Sequence, residues 1–286
     1  MEITLADEKA YVLKPVLSWE QAKERAWDKK IQVFSKGLTS LFSRPKSEEV
    51  EIVYSERRLE PFWHVACSAH YVYDRTRQYT IPIPQPEVQS VTLYGHDFPV
   101  EGKGTRRITI TGTEHCHEEH EREAFFDSVS GEEQPWAHYL QYAKDEITDF
   151  ESFAPEGDIV VPPTVRASFV VRQVLGGMLK PVQADTLLEE RVAVEKIDLY
   201  YRPIYAFEYL WKPKNRKAVG EFDGLTGELR TGGKTIRQQI SAVLTKDLLF
   251  DVGVDAVDLL VPGGGIAIKV GKAIAESRRR KSSQQQ

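Results

Sequence analysis

Phe126-Asp127-Ser128-Val129-Ser130-Gly131-Glu132 and Phe222-Asp223-Gly224-Leu225-Thr226-Gly227-Glu228 match position for position in residue type. Each reads as a strand end running into a tight turn, with the glycine free to take a positive φ. Upstream, Pro61-Phe62-Trp63-His64-Val65 corresponds to Pro203-Ile204-Tyr205-Ala206-Phe207. Val50-Glu51 and Val194-Glu195 each open a strand-like stretch, and earlier helical patterns end at Arg44-Pro45 and Lys180-Pro181. These landmarks, met in the same order, predict an α+β chain with an internal duplication: two related helix-plus-antiparallel-sheet units. The first unit covers residues 1–157 and carries a strand-rich insertion at about 79–120; the second covers 158–232. A C-terminal αα-hairpin is expected over 233–276 and a disordered basic and polar tail over 277–286.

Local chemistry supports each element. Ser18 is placed as an N-cap, with Gln21 where a capping-box partner belongs. Ala22, Ala26, Val33 and Leu41, beside Trp19 and Trp27, form the expected buried stripe of that helix. Val165 to Leu179 is the corresponding helix of the second unit. Phe62 to Asp74 alternates as a strand, with Trp63, Val65, Cys67, Ala69, Tyr71 and Tyr73 pointing one way. Ile204 to Trp211 is its counterpart, closed by a turn at Lys212-Pro213-Lys214-Asn215. Within the insertion, Tyr79–Ile83, Val88–Leu93 and Arg106–Thr111 read as separate strands.

A helix on antiparallel strands that closes on D-x-x-T-G-E, as at Phe222 to Glu228 and in its echo at Phe126 to Glu132, resembles the PepSY-type and cystatin-like binding units. The resemblance covers a small part of the chain and implies a binding or inhibitory module rather than a catalyst. The opening MEITLADEKA lacks a signal-peptide pattern, a departure from the exported context of PepSY units.

Composition narrows the classes. A net charge of −5 over 286 residues argues against a nucleic-acid binder. No uninterrupted apolar run approaches the roughly 18 residues of a membrane span. Two cysteines in a chain this long are not a disulfide scaffold, and the reading is cytoplasmic.

Both cysteines and five of the seven histidines fall in two clusters, His64-x-x-Cys67-x-x-His70 and His115-Cys116-His117-x-x-His120. Imidazole and thiolate together suit zinc. On an extended strand His64 and His70 share a face that Cys67 does not. Cys116, His117 and His120 would converge only if Glu114 to Glu118 formed a turn or began a helix. The candidate ligands are therefore Cys67, Cys116, His117 and His120, with His70. The spacing fits no zinc finger or ribbon, and HCHEEH is not H-E-x-x-H. The second unit has Ala206, Tyr209 and Lys212 where the first has His64, Cys67 and His70, so the framework does not require them. The plainer alternative, and the preferred one, is a buried cysteine pair flanked by surface histidines.

Other features carry less. Glu118 to Glu123 offers a general base beside a metal but reads first as a solvated charged face. Gly227 to Thr235 has five residues before Gly-Lys-Thr where a phosphate loop needs four. Asp247, Asp251, Asp255 and Asp258 make an acidic stripe before Pro262-Gly263-Gly264-Gly265, and Arg278 to Lys281 is basic. The expected function is a binding or assembly protein acting through protein–protein contact, with homo-oligomers among its partners. The alternatives are a zinc-type enzyme using the insertion and a nucleotide-binding regulator.

Overall fold

The computed structural model describes residues 2–34, 45–150, 152–235, 249–250 and 269–270. The expected hairpin over 233–276 and the tail over 277–286 lie almost wholly outside the described residues. The chain is α+β. Its strands are β1 (Glu2–Leu5), β2 (Glu8–Leu13), β3 (Val50–Pro82), β4 (Ser90–Leu93), β5 (His96–Pro99), β6 (Arg107–Asp127), β7 (Lys144–Glu146), β8 (Ile159–Val160), β9 (Thr186–Trp211), β10 (Arg216–Asp223), β11 (Leu229–Thr231) and β12 (Lys269–Val270). Its two described helices are α1 (Trp19–Asp28) and α2 (Ala167–Met178). All the strands except the β4–β5 hairpin join one mixed sheet.

Two long strands make the spine. β3 and β9 pair antiparallel from Val50↔Trp211 to Asp74↔Thr186, with irregularities at Ile52/Tyr54, Ala66/Cys67 and Val72/Tyr73. Alternating β-branched and aromatic side chains favour this extended backbone. The outer edge of β9 is shared in turn by β1 and β2, both parallel, and then by antiparallel β10. The outer edge of β3 takes parallel β8 at Arg58–Leu59 and antiparallel β6 from Phe62 onward. Pro61 and Pro203 sit where the outer partner changes, so the N–H that proline lacks is not demanded by a ladder.

The same local bonds occur at two places. Asp127 Oδ1 accepts the N–H groups of Val129 and Ser130 at 2.8 and 2.9 Å, and Asp223 Oδ1 those of Leu225 and Thr226 at 2.8 and 3.1 Å. Gly131 and Gly227 close these turns at φ 76° and 73°, a region open to glycine. The Pro61 carbonyl accepts Ser128 N–H, and the Pro203 carbonyl accepts Gly224 N–H. Chain entering α2 donates from Thr164 and Val165 to the Ser128 carbonyl, and chain entering α1 from Val16 and Leu17 to that of Gly224. Trp63 Nε1 donates to the Val165 carbonyl at 2.8 Å, and the Tyr205 hydroxyl to that of Leu17 at 2.9 Å.

Both helices pack on one face of the sheet. α1 has the expected Ser18–Gln21 capping box and buries Ala22 and Ala26 against Tyr205, Phe207 and Tyr209. Trp27 departs from the expected stripe: it is 56% exposed, with Lys30 Nζ 3.5 Å above its ring. α2 buries Val170, Val171, Val174 and Leu175 against Trp63, Val65 and Cys67. On the opposite face, Leu13, Phe62, Phe125, Trp136, Tyr139 and Tyr200 form a second layer over the middle of the spine.

The insertion differs from its reading. Tyr79 to Pro82 simply continues β3, and Arg107 to Asp127 is one unbroken strand paired to it residue by residue. Only Ser90–Leu93 makes its own hairpin, with His96–Pro99, turning at Tyr94 and Gly95, both at positive φ. Glu114 to Glu118 is therefore extended, without the expected turn, because each of these residues is paired across the ladder with one of Arg75 to Tyr71.

A buried charge cluster sits at the centre of the spine. Glu60 lies opposite Arg202 and takes its Nη2 at 2.8 Å, while Arg58 Nη2 reaches the other oxygen of Glu60 at 2.9 Å. Arg202 also faces buried Asp223, which accepts the Tyr139 hydroxyl, and stacks on Trp136 at 4.3 Å. Removing one partner of such a buried set leaves an uncompensated charge. Asp223→Ala is expected to lower unfolding free energy by about 3–5 kcal/mol. Asp127→Ala, which loses only turn bonds at a half-buried site, should cost about 1 kcal/mol. Urea unfolding of both variants checks the difference.

Candidate functional site

Strand alternation sorts the His/Cys residues onto two faces. Cys67, Cys116 and His120 lie on the helix face; His64, His70 and His117 lie on the opposite face. Cys67 sits 2% exposed in the core under α2, and burial pushes its thiol up to about 12. It is opposite Arg122, whereas Cys116 is opposite Tyr73, six positions along the ladder and therefore roughly 20 Å away. Cys116 and His120 are four residues apart on one extended strand, about 13 Å. The candidate set Cys67, Cys116, His117 and His120 is thus not brought together. The physical reason is that β6 never leaves extended geometry. His120 instead meets Glu118 Oε2 at 3.1 Å.

The same alternation does assemble a different group. His70 of β3 and His117 of β6 lean toward each other on the face away from the helices, with His70 Nδ1 3.2 Å from His117 Nε2. Glu119, directly opposite His70, places Oε1 3.2 Å from His117 Nε2 and 3.5 Å from His70 Nδ1. Two imidazole nitrogens and a carboxylate oxygen converge there. Neighbouring ligands in a tetrahedral shell with bonds of about 2.0–2.1 Å stand roughly 3.3 Å apart. The observed triangle has that size and the donor types of a zinc-like ion, so the residues fit the metal that the sequence suggested. Behind His70, Glu189 Oε2 lies 3.7 Å from Nε2 and is held by Arg191 Nη2 at 2.6 Å. A carboxylate hydrogen-bonded to the far nitrogen orients a metal-binding imidazole, and Glu189 stands about half an ångström beyond that reach.

Glu119 and Glu189 were missed in the sequence. Glu119 was read as part of a solvated acidic run, although His117-x-Glu119 is the i, i+2 spacing that puts two side chains on one face of a strand. Glu189 carries no local signal, since only the β3–β9 register places it near His70. The segment Gly227 to Thr235 is spent on the Asp223 turn, on β11 and on a carbonyl of Lys234 that accepts Arg58 Nη1 at 2.8 Å.

Compared with protein-family models, with curated proteins and with solved structures, the chain matches none. Among the described residues no helix is long and apolar enough to cross a membrane. The donor triangle on the sheet therefore has to be interpreted from its own chemistry.

The helix-face placement of Cys67 has a direct consequence. A thiol reacts as thiolate, and burial keeps this one protonated. At pH 8 the native protein should incorporate a maleimide or disulfide reagent at Cys116 and not at Cys67. Both should label in denaturant, as mass spectrometry of the digested protein would show. Rapid native labelling of Cys67 would contradict its burial.

Proposed function

We propose that this chain is a binding protein that takes up one divalent transition metal, zinc by donor chemistry, at His70, His117 and Glu119. The observation that carries the reading is the triangle of donors at 3.2, 3.2 and 3.5 Å, backed by Glu189 on the far side of His70. Three protein donors leave a coordination position for water or for a side chain of another protein. His117 and Glu119 are well exposed, which suits a metal shared with a docking partner, whether a different protein or a second copy of this chain. This keeps protein–protein contact as the mode of action. The same open position supports the second reading, a metal-dependent enzyme, in which the ion would supply Lewis acidity to a bound water.

The recurring bonds around Asp127 and Asp223, Pro61 and Pro203, and Val165 and Leu17 support the view that the chain is two versions of one unit. In that view β8–α2–β9–β10 repeats β2–α1–β3–β6, with the symmetry centre at Glu60 and Arg202. The metal donors would then be an elaboration of the first copy, on the longer β6. A binding module of the PepSY or cystatin-like kind remains the framework this reading implies.

Cobalt titration of chelator-treated protein tests the metal. We expect one equivalent of Co2+ to bind with visible d–d absorption and to be displaced by Zn2+. His70→Ala and His117→Ala should each remove most of the affinity. Glu189→Gln should weaken binding about tenfold, as loss of an outer-shell carboxylate does. Cys67→Ala and Cys116→Ala should leave it unchanged. Stoichiometric metal that survives His70→Ala with His117→Ala but is lost with Cys116→Ala would overturn the assignment.

A further inference from the structure

A second group lies on the same face, about six strand positions from His70 and hence roughly 20 Å from the metal donors. His64 is 1% exposed and stacks flat on Phe125, with centroids 4.7 Å apart. Its Nε2 is 2.6 Å from Glu123 Oε1. A neutral imidazole facing a carboxylate donates to it, which leaves the Nδ1 lone pair as acceptor. Burial does push the His64 pKa down, with Glu123 opposing. Nδ1 is buried and has no hydrogen-bond partner among the described residues. Asp198 Oδ2 stands 3.8 Å from it, too far for a bond between them. A buried acceptor left unpaired is destabilising, since it loses its bond to water and gains none in return.

Both groups border a depression of about 530 Å3. Lys144 reaches across it, with Nζ 2.6 Å from the Tyr200 hydroxyl and 4.0 Å above the Tyr11 ring. Lys9 and Lys196 complete the rim. None of these three lysines forms an ion pair within 4 Å among the described residues. Two acceptors side by side call for a donor on the guest. Three ammonium groups around them disfavour a simple cation and favour a carboxylate on the same guest. Asp7, Glu195 and Asp198 also border the depression and disfavour a more highly charged anion such as phosphate.

We propose that this depression binds a small carboxylic acid bearing a hydrogen-bond donor on the adjacent carbon, an α-amino or α-hydroxy acid. The donor sits between His64 Nδ1 and Asp198 Oδ2, and the carboxylate faces Lys144, with Lys9 and Lys196 at the mouth. The site is independent of the metal donors, since it shares no side chain with them.

Calorimetric titration of the full chain with L-alanine, L-lactate and propionate tests this. Alanine or lactate should bind saturably, and the stronger of the two identifies the donor as ammonium or hydroxyl. Propionate, which has the carboxylate and no donor, should bind about tenfold more weakly or worse. His64→Phe keeps a ring on Phe125 and should abolish binding, as should Lys144→Met; His117→Ala should not change it. Long-range 15N–1H spectra should show the His64 Nδ1 resonance moving as ligand is added. Circular dichroism checks that each variant folds, and Lys144→Met decides the matter if His64→Phe does not. The proposal is overturned if neither acid binds at about 10 mM, roughly ten times the dissociation constant of a weak 1 mM ligand. Equal binding of propionate, or alanine binding that persists in folded His64→Phe or Lys144→Met, also overturns it, leaving water as the partner of Nδ1.

Discussion

The antiparallel pairing of β3 with β9, locked at its centre by Glu60, Arg58 and Arg202, is the constraint on which the rest of the molecule depends. Glu60 bridges two nearly fully buried guanidiniums, and Arg202 is further held by Asp223 and the face of Trp136. Ion pairs taken out of water are costly unless every member is matched, so a shift of one residue in this ladder would strand several charges at once. A one-residue slip would also turn every side chain of the spine to the wrong face. The central pair thus sets the register for both long strands and, through them, for every site described above.

From that register the two faces diverge. The helix face is apolar without interruption from Trp63 through Tyr73, and α2 covers it. The opposite face is closed by aromatic residues near Phe62 and Tyr200 but opens where β3, β6 and β9 run on past the last covering segment. Along that opening lie half-buried Ser68 and His70 with exposed Glu119, and nearer the middle the buried side chains of Asp198 and His64 border a second depression. Polar groups concentrated on an uncovered but rigid surface are what recognition of an ion or a small molecule requires.

How much of this could be read from residues alone varied with the range of the interaction. The Ser18 capping box and the Asp127 and Asp223 turns are local devices, spanning a few residues, and their chemistry was legible. The alternation of Trp63 to Tyr73 was legible for the same reason, since a strand has period two. Glu114 to Glu118 was not. It holds a dense polar cluster that suggests a turn, and only the unbroken pairing to Arg75 through Tyr71 keeps it extended. Trp27 misled in the opposite sense, as a large aromatic that lies on the solvent side because it stands about 100° round α1 from the buried Ala26.

Residue types and local spacing determined that the chain is α+β, that it turns at the two Phe-Asp segments, and that its metal-seeking side chains are concentrated in the first half. They also determined that Cys67 cannot join His64 and His70 on a regular strand. Which donors meet was decided only by the tertiary structure. His70 finds His117 and Glu119 because β6 folds back on β3, and it finds Glu189 because β9 lies on the other side. His64 finds Asp198 by the same cross-strand route. Partners so far apart along the chain are set by ladder register, which the buried charges at Glu60 and Arg202 and the apolar alternation of the helix face fix together.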